Sequence, residues 1–436
     1  MKKATLGTLF LTVFLDLLGF GLVVPFLPRM ARELGAGDFT ATLIGSAYSL
    51  MQLVFVPLWG RLSDRVGRRP VLLWSIAATA LSMGTLSVST SLVTLFAARV
   101  FSGVATANIA VTQAYIADVT APEERSRGMG MLGIAFSLGF ILGPFFGGQL
   151  AGLRLWGRQS SGPALAAAAL AAVNLAIALK SLPESLPPER RAAPGSPELP
   201  RAPSAPPPSA PAAPRGSLAL PLALPLALNL LIVTSFAGLE QTFALFTHDA
   251  FKFDARATGN VFGLMGFVAA LVQGGLIRRL TRRVGEVALI RVGLTFQIAA
   301  FTLLALAPGL GPGALYAAVV VIGCGSGILS PSVSSYVSQK AAATTQGATL
   351  GVLQSTGALG RTLGPGTGGA LYQGAGLVAP YVASAVGMTV AWLLSWRLEG
   401  LARRPAGASE APPALAAAGE PKAAAALGGG EGPGSG

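Results

Sequence analysis

Four charged side chains interrupt long apolar stretches of the sequence, where charge is rare. They are Asp16, Arg99, Glu240 and Arg361. A charge at the centre of a hydrocarbon layer costs roughly 2.5–3.5 kcal/mol on insertion scales, so each needs a physical reason to be there. Burial favours a neutral carboxyl and a nearby arginine favours a charged one, so an acid between water and an arginine can exchange a proton. We therefore predict that Asp16, Arg99 and Glu240 couple the protein to protons, with structural acid–base pairing as the alternative.

The position of each charge refines this prediction. Asp16 lies about eleven residues into its stretch, close to the bilayer midplane at ~1.5 Å of rise per residue, and is the main proton-carrying candidate. Glu240 and Arg361 repeat one acid and one base in the second half of the chain. Arg361 has a second interpretation, as a contact for an anionic substrate. His248, near the end of its stretch, is interpreted as a surface residue rather than a proton relay.

Uncharged polar side chains in the same stretches are candidates for lining a substrate cavity. They are Gln52, Asn108, Gln273, Gln297 and Gln354. Hydrogen bonding between membrane helices explains them equally well. The sequence has one cysteine and one histidine, which argues against a cysteine zinc cluster and against most metal or catalytic sites built from histidine. We expect no metal, no cofactor and no enzymatic activity, because no Ser/His, paired-acid or metal constellation falls within the apolar stretches.

The stretches that carry these residues are long enough to cross a membrane. About twenty apolar residues span the ~30 Å hydrocarbon core as a helix. Twelve such stretches occur near 5–28, 41–60, 70–90, 92–117, 128–152, 163–182, 219–247, 257–278, 286–307, 311–337, 345–372 and 376–396. The chain is 52% hydrophobic and 11% charged, against about 25% charged for soluble proteins. We predict an all-α, multi-pass membrane protein, whose first stretch is retained because it is too long for a signal peptide and carries Asp16.

A tract rich in Pro, Ala and Ser divides the twelve stretches six and six. We predict an N-terminal six-helix bundle at 1–182, a cytoplasmic linker at 183–217, a C-terminal six-helix bundle at 218–396 and a disordered cytoplasmic tail at 397–436. The linker and tail lack the pattern needed to bury a core. Lys and Arg concentrate at the termini, in the even-numbered connections and in the linker, which places both termini in the cytoplasm. The net charge of +13 therefore indicates orientation in a lipid bilayer rather than binding to nucleic acid.

A basic turn between the second and third stretches, Gly60 to Pro70, is a candidate gate. Two glycines give the turn backbone freedom, and Asp64 stands alone among four arginines. Its carboxylate could pair with them or accept amide hydrogen bonds at the N-terminus of a neighbouring helix. We predict a charge network that latches one conformation, with solvated loop charges as the alternative. The residues of this network are Gly60, Asp64, Arg65, Gly67, Arg68, Asp118 and Arg125.

The fifth stretch contains closely spaced glycines that surround a proline. Glycines four residues apart let two helices approach closely, and a proline bends a helix by removing a backbone hydrogen bond. We predict that this helix rocks against a partner, with ordinary tight packing as the alternative. The residues concerned are Gly139, Gly143, Pro144, Gly147 and Gly148.

The two halves of the chain repeat each other. Arg61–Gly67 returns as Arg279–Gly285, and Gly143–Gly148 returns as Gly364–Gly369, 218 and 221 residues further along. Such a parallel repeat predicts two bundles related by an axis normal to the membrane, with the substrate site between them. The second copy lacks the acid, because Arg282 stands where Asp64 would.

Several of these motifs resemble one known family. The basic turn resembles the G-x-L-x-D-R-x-G-R-R loop of the major facilitator superfamily. The fifth stretch resembles that family's antiporter signature, G-x-x-x-G-P-x-x-G-G, and Arg99-x-x-x-Gly103 resembles its helix-four arginine motif. Together with Phe14–Gly21 and Ala114–Asp118, they make the chain similar to the tetracycline-exporter-like branch of the twelve-helix drug:proton antiporters, which includes animal tetracycline-transporter-like proteins.

The resemblance covers residues 5 to about 396 and implies two pseudo-symmetric six-helix bundles. It implies efflux of amphipathic, drug-like small molecules by alternating access, in exchange for protons. The acids in helices three and nine and the helix-eight histidine of the tetracycline exporters have no counterpart here, so the substrate stays open. Organic-anion transport through Arg99 and Arg361 is an alternative, and a non-transporting membrane receptor or scaffold is another. We expect a monomer in the plasma membrane, or in the inner membrane of a bacterium.

Overall fold

The structure is a computed structural model that describes residues 2–106, 109–120, 125–153, 161–191, 222–341 and 346–398. Within these residues the chain is helical and contains no strand. The helices of residues 2–191, which we call the N half, are α1 (Lys2–Val23), α2 (Leu27–Glu33), α3 (Asp38–Val66), α4 (Arg68–Ser87), α5 (Leu92–Ala105), α6 (Ile109–Val119), α7 (Arg125–Leu150) and α8 (Ser161–Ser181).

Residues 222–398, which we call the C half, continue in the same manner. Their helices are α9 (Ala223–Phe251), α10 (Ala255–Leu271), α11 (Ile277–Val284), α12 (Glu286–Leu310), α13 (Pro312–Lys340), α14 (Gln346–Ala375) and α15 (Ala379–Ser395). A π-helical turn, Val272–Leu276, joins α10 to α11, and a 3₁₀ turn, Val24–Phe26, joins α1 to α2. Pro25 accounts for the second break, because proline lacks an N–H donor and clashes with the preceding turn.

These helices group into twelve segments, which is consistent with twelve spans, since α1 with α2, α5 with α6, and α10 with α11 each make one segment. Nine segments of the described chain are long and apolar enough to cross a membrane. Helices α7, α14 and α15 complete the series. The all-α membrane fold class predicted from the sequence is therefore confirmed.

Because successive spans run in opposite directions, the helix ends lie on two opposite faces of the bundle. The linker face carries the beginning of α1, the α3–α4 turn and the end of α8 at Ser181. The far face carries the α2–α3 connection, the α9–α10 connection and the α14–α15 connection. If the termini are cytoplasmic, as the basic residues predict, the far face is the outer one.

Each half has its own apolar core. In the N half one cluster forms around Leu22, Ile44 and Leu95, and another around Ile76 and Tyr115. In the C half a single cluster extends through residues 228–398 and contains Phe243, Phe301, Ile322 and Tyr381. These separate cores support our proposal that 1–182 and 218–396 are two bundles.

The segment predicted as a linker begins with residues that are packed rather than extended. The Glu184 carboxylate accepts hydrogen bonds from the backbone N–H groups of Arg68, at 2.9 Å, and Arg69, at 3.2 Å, at the start of α4. The Tyr115 hydroxyl donates to the Pro183 carbonyl at 2.6 Å. The chain after Ser181 is thus fastened to the linker face of the N half through Arg191. The rest of the predicted linker up to 221 and the tail from 399 lie outside the described residues.

The predicted repeat is visible as two matching helix contacts. A methyl carbon placed on Gly143 of α7 would lie 2.5 Å from the Cα of Gly21 in α1. In the C half, a methyl carbon on Gly364 of α14 would lie 2.8 Å from the Gly238 nitrogen in α9. The glycines of α7 and α14 therefore let their helices touch α1 and α9 backbone to backbone. This equivalence confirms the two pseudo-symmetric halves.

Candidate functional site

Arg99 of α5 lies in the interior of the N half with only 1% of its surface exposed. Its guanidinium carbon is 4.4 Å from the centre of the Tyr48 ring and 5.8 Å from that of Phe20. A cation over an aromatic face is attracted by the ring quadrupole, which offsets part of the cost of burial. Within the described residues, its Nε and Nη1 atoms have no hydrogen-bond partner. The aromatic residues therefore hold the charge in place without occupying its donors.

Tyr48 of α3 connects Arg99 to the surrounding polar groups. Its hydroxyl accepts a hydrogen bond from the Thr106 hydroxyl at 2.7 Å, and the Gln52 amide approaches it at 3.4 Å. Helix α5 can come this close to α3 because of Gly103, where a methyl carbon would lie 2.8 Å from the Cβ of Met51. The helix-four motif thus combines a buried arginine with the glycine that lets its helix contact α3.

Asp16, Glu240 and Arg361 complete this cluster, which we call the central charge cluster. Tyr48 is close enough to interact electrostatically with Asp16, Arg99 and Arg361. Glu240 of α9 interacts in the same way with Arg361 and with Arg99. In the part of the chain that the structure describes, Glu240 forms no ion pair within 4 Å. The four charges singled out in the sequence, two from each half, therefore lie within electrostatic range of Tyr48 or of one another.

The chemistry available to the central charge cluster follows from its net charge. Two arginines and two acids give a net charge of zero when all are ionised. The acid of the C half faces bases of both halves, so movement of the halves changes which charges it meets. Among the described residues, no three His, Cys, Asp or Glu side chains group so as to hold a metal ion. The arrangement is suited to binding an ion or exchanging a proton.

The predicted polar cavity liners have different environments. Gln52 reaches the central charge cluster through Tyr48. Gln297 is 3% exposed, and its amide faces the Ile322 carbonyl at 3.5 Å between α12 and α13, which favours the helix-packing alternative. Gln273 is half-buried in the π-helical turn, and Gln354 is exposed on α14. Asn108 lies outside the described residues.

The basic turn is shorter than the sequence predicts. Helix α3 continues through Gly60 to Val66, and the chain turns on one residue, Gly67, whose φ of +113° is a left-handed conformation that favours glycine. The prediction of a turn beginning at Gly60 is therefore wrong. Asp64, in the last turn of α3, and Arg68, at the start of α4, form an ion pair across this turn at 2.6 Å.

Arg68 organises the charge network at this turn. It is 8% exposed, and its Nε lies 3.3 Å from the Asp118 carboxylate at the end of α6. The Asp118 carboxylate also accepts a hydrogen bond from the Ser185 hydroxyl at 3.1 Å. All of these partners belong to the N half. Arg65 is exposed, and Arg125 begins α7 with a side chain outside the described part of the structure.

The glycines of α7 have two different neighbours. Those at 139, 143 and 147 face α1. Gly148 instead faces the C half, where a methyl carbon placed on it would lie 2.7 Å from the Cα of Gly259 in α10. Pro144 lies between them, inside the helix. Helix α7 is thus in contact with both halves at the far face.

Sequence reasoning missed a second ionic group, at the far face. Arg32 of α2 makes a bidentate contact with Asp249 of α9, at 3.0 and 2.9 Å, and lies 2.6 Å from Asp38. The Tyr372 hydroxyl of α14 donates to Asp249 at 2.8 Å. Charges at the ends of membrane helices are common because they reach water, so these residues gave no signal in the sequence.

Further polar contacts join the halves near this group. The Gln373 side chain accepts from the backbone N–H of Phe39 at 2.9 Å, and the Ser46 hydroxyl accepts from that of Gly366 at 3.0 Å. Gln149 of α7 contacts Asn260 of α10 at 2.7 Å. All of these lie on the far side of the central charge cluster. The structure therefore shows a state closed at the far face.

Comparison with known proteins gives a consistent result. The family model of the Major Facilitator Superfamily matches residues 9–365. Major facilitator superfamily domain-containing protein 10 of Homo sapiens is 32% identical over 427 residues, which cover 87% of this chain and 89% of that protein. The class C tetracycline resistance protein of Escherichia coli is 30% identical over 357 residues, which cover 81% of this chain and 86% of that protein.

Solved structures are also similar. The crystal structure of the human organic anion transporter MFSD10 (TETRAN) matches with a TM-score of 0.66 at 28% identity, covering 90% of this chain and 99% of that one. A bacterial homolog of the human lysosomal transporter Spinster, in an inward-facing and occupied conformation, matches with a TM-score of 0.71 at 15% identity, over 91% and 96%. The second likeness concerns the fold alone.

Proposed function

The chain belongs to the major facilitator superfamily, and from that premise we propose that it carries amphipathic organic anions across the membrane by alternating access. The observation behind this proposal is that the central charge cluster contains one arginine from each half, Arg99 and Arg361. Its similarity to a human organic anion transporter supports the same substrate class. The protein is a membrane transporter and not an enzyme.

The buried N–H donors of the Arg99 guanidinium are the first reason to expect an anionic substrate. Burying polar donors without a partner costs about 1–3 kcal/mol each, and two of its nitrogens are buried in this way within the described residues. A carboxylate or sulfonate would satisfy them with charge-assisted hydrogen bonds, which are roughly twice as strong as neutral ones. Arg361 would approach the same anion from the other half. Binding would then connect the two halves through the substrate.

The surroundings of Arg99 argue for an amphipathic molecule rather than a small inorganic ion. The Phe20 ring lies 5.0 Å from that of Tyr48 and 5.9 Å from that of Phe140 on α7. Phe140 is 37% exposed, so its ring offers apolar surface. A substrate with an anionic group and an apolar body would match this combination of charge and aromatic surface.

Either acid of the central charge cluster, Glu240 or Asp16, can link anion binding to protons in the same way. Ionised Glu240 attracts both arginines, and it would repel an anion bound between them. A proton on Glu240 removes that repulsion, so anion and proton bind more tightly together than apart. Linkage is reciprocal, and anion binding must therefore favour proton uptake. The expected coupling is transport of the anion and the proton in the same direction.

A second candidate function is export of neutral or cationic drug-like molecules in exchange for protons. The glycine and proline residues of α7 and the similarity to tetracycline resistance proteins favour it. In this case the drug would bind to ionised Asp16 or Glu240 and would compete with the proton. Drug binding would then release protons. The two functions thus differ in the sign of proton exchange.

That sign can be measured with the purified protein in weakly buffered detergent containing a pH-sensitive dye. We expect naphthylacetate to cause proton uptake and to lose its effect in Arg99→Ala and Arg361→Ala. Arg29→Ala, which removes an arginine of α2 that forms no ion pair with any residue the structure describes, is the matched control. Proton release on adding naphthylethylammonium, with no response to naphthylacetate, would overturn the proposal in favour of drug exchange.

A further inference from the structure

We propose that Arg32 and Asp249 form a lock that holds the far face of the transporter closed. Arg32 ends the first span, and Asp249 ends the seventh, so their contact joins the two halves. Both oxygens of the carboxylate accept hydrogen bonds from the guanidinium, at 3.0 and 2.9 Å. The two side chains are 25% and 32% exposed, so they are partly shielded from water and still reachable by it.

The positions of the two residues carry the inference further. They are 217 residues apart, the same displacement that separates Gly21 from Gly238, which make matching helix contacts in the two halves. Arg32 and Asp249 are therefore equivalent positions of the two halves, and their contact lies at the pseudo-symmetry axis. Rocking of one half against the other separates such a pair directly.

Each member of the pair also has a partner in its own half. Arg32 lies 2.6 Å from Asp38, at the start of α3. Asp249 accepts a hydrogen bond from the Tyr372 hydroxyl at 2.8 Å. When the far face opens, neither charge is left alone, because each keeps its local partner. This limits the electrostatic cost of separating the two charges to the loss of the bidentate contact and makes the lock reversible.

Two flanking contacts at equivalent positions depend on the same closure. Gly148 of α7 packs against Gly259 of α10, and Gly369 of α14 packs against Thr42 of α3. A methyl carbon placed on Gly369 would lie 2.9 Å from the Thr42 Cβ. Glycine in these places lets the halves meet closely, and the ion pair between them supplies the directional attraction.

The lock can be tested by measuring the distance between nitroxide labels on the far face. One label replaces Thr90, in the turn between α4 and α5, and the other Gly309, near the end of α12, in a chain with Cys324→Ser. Both sites are exposed. In detergent, Asp249→Asn and Arg32→Gln should raise the ratio of open to closed molecules on the order of tenfold, since a charged hydrogen bond contributes ~1.5–3 kcal/mol and ~1.4 kcal/mol is tenfold.

The charge-swapped double variant, Arg32→Asp with Asp249→Arg, makes the test specific when it is made and compared in a chain that carries Asp38→Asn, because Asp38 would otherwise repel the new carboxylate at position 32. It should restore the closed population, because the exchanged charges still attract. Arg29→Gln and Asp254→Asn, which change far-face charges outside the lock, should leave the distance distribution unchanged. Folded single variants with the parental distribution, or a double variant as open as the single ones, would overturn the proposal. The measurement needs no substrate, so its outcome is separate from that of the anion test.

Discussion

Arg99 rests on the rings of Tyr48 and Phe20, and the described structure shows it in no ion pair. A carboxylate partner would have satisfied its charge and also occupied its donors. The rings do only the first of these. At the scale of single residues, the property that defines the site is therefore that N–H donors of the Arg99 guanidinium remain available to a ligand.

Substitution of Tyr48 separates its ring from its hydroxyl. Tyr48→Phe keeps the surface under the guanidinium and should bind naphthylacetate within about threefold of the parent affinity. Tyr48→Ala removes the ring and should weaken binding roughly tenfold or more, because a desolvated cation–π contact contributes up to ~2 kcal/mol. Calorimetric titration would measure both. Equal losses in the two variants would show that the hydroxyl, with its Thr106 hydrogen bond, matters instead.

Proton coupling is predicted to depend on Asp16. Asp16→Asn should still bind substrate but lose uphill transport driven by a pH gradient in proteoliposomes. Arg99→Lys keeps the charge without the planar fork, so it should impair coupling less than Arg99→Ala. Glu240→Gln serves as the comparison in the other half. Uphill transport by Asp16→Asn at the parental level would assign the coupled proton to Glu240.

At the scale of elements, the glycines of α7 have a mechanical role that one substitution can test. Gly143→Ala would place a methyl group 2.5 Å from the Gly21 backbone, where no side chain can move aside. We expect it to destabilise the protein by about 1–3 kcal/mol, as overpacking does, and to lower its melting temperature in detergent. Gly84→Ala is the control, since Gly84 of α4 has no atom within 4 Å of the new methyl. Similar melting temperatures for the two variants would contradict this packing.

The α3–α4 turn is predicted to act as a latch on the linker face. In the state described here Asp64 pairs with Arg68 and is half-exposed, so its second oxygen can meet the other half when the linker face closes. Asp64→Asn should slow transport several-fold and leave substrate affinity within a few fold, measured as initial rate and equilibrium binding. Arg65→Gln, at an exposed neighbouring position, is the control. Loss of binding in a folded Asp64→Asn protein would rule the latch out.

The sequence predicted the helical spans and the four interior charges because both depend on burial alone. Apolar runs have a measurable length, and a charge within such a run is costly wherever it lies. The ion pair between Asp64 and Arg68 forms only once the chain turns at Gly67, and the packing of Glu184 on α4 depends on a contact distant in sequence. Tyr48 and Phe20 look like any aromatic residues of a membrane helix. Contacts between distant residues therefore explain most of what the sequence alone did not predict.

At the scale of the whole molecule, the two halves repeat the same contacts between helices, but the residue types that make these contacts differ. Arg68 begins α4 and approaches Asp118 at the end of α6. Glu286 begins α12, 218 residues later, and accepts a hydrogen bond from Ser335 of α13 at 3.2 Å and another from Gln339. The connection between the same two elements is retained in each half. Among the residues that the structure describes, only the first half retains an ion pair there, so the two halves contribute unequally to the linker face.

The pair formed by Arg32 and Asp249 has a consequence for how the halves recognise each other. An unmodified duplication would place the same residue at both positions, and two copies of either half would bring arginine against arginine or aspartate against aspartate on the axis. Opposite charges at equivalent positions therefore favour one N half with one C half and disfavour like pairs. The contact that closes the far face therefore also selects the correct partner during assembly. If the two halves are expressed as separate polypeptides divided at the linker, each N half should still assemble with a C half.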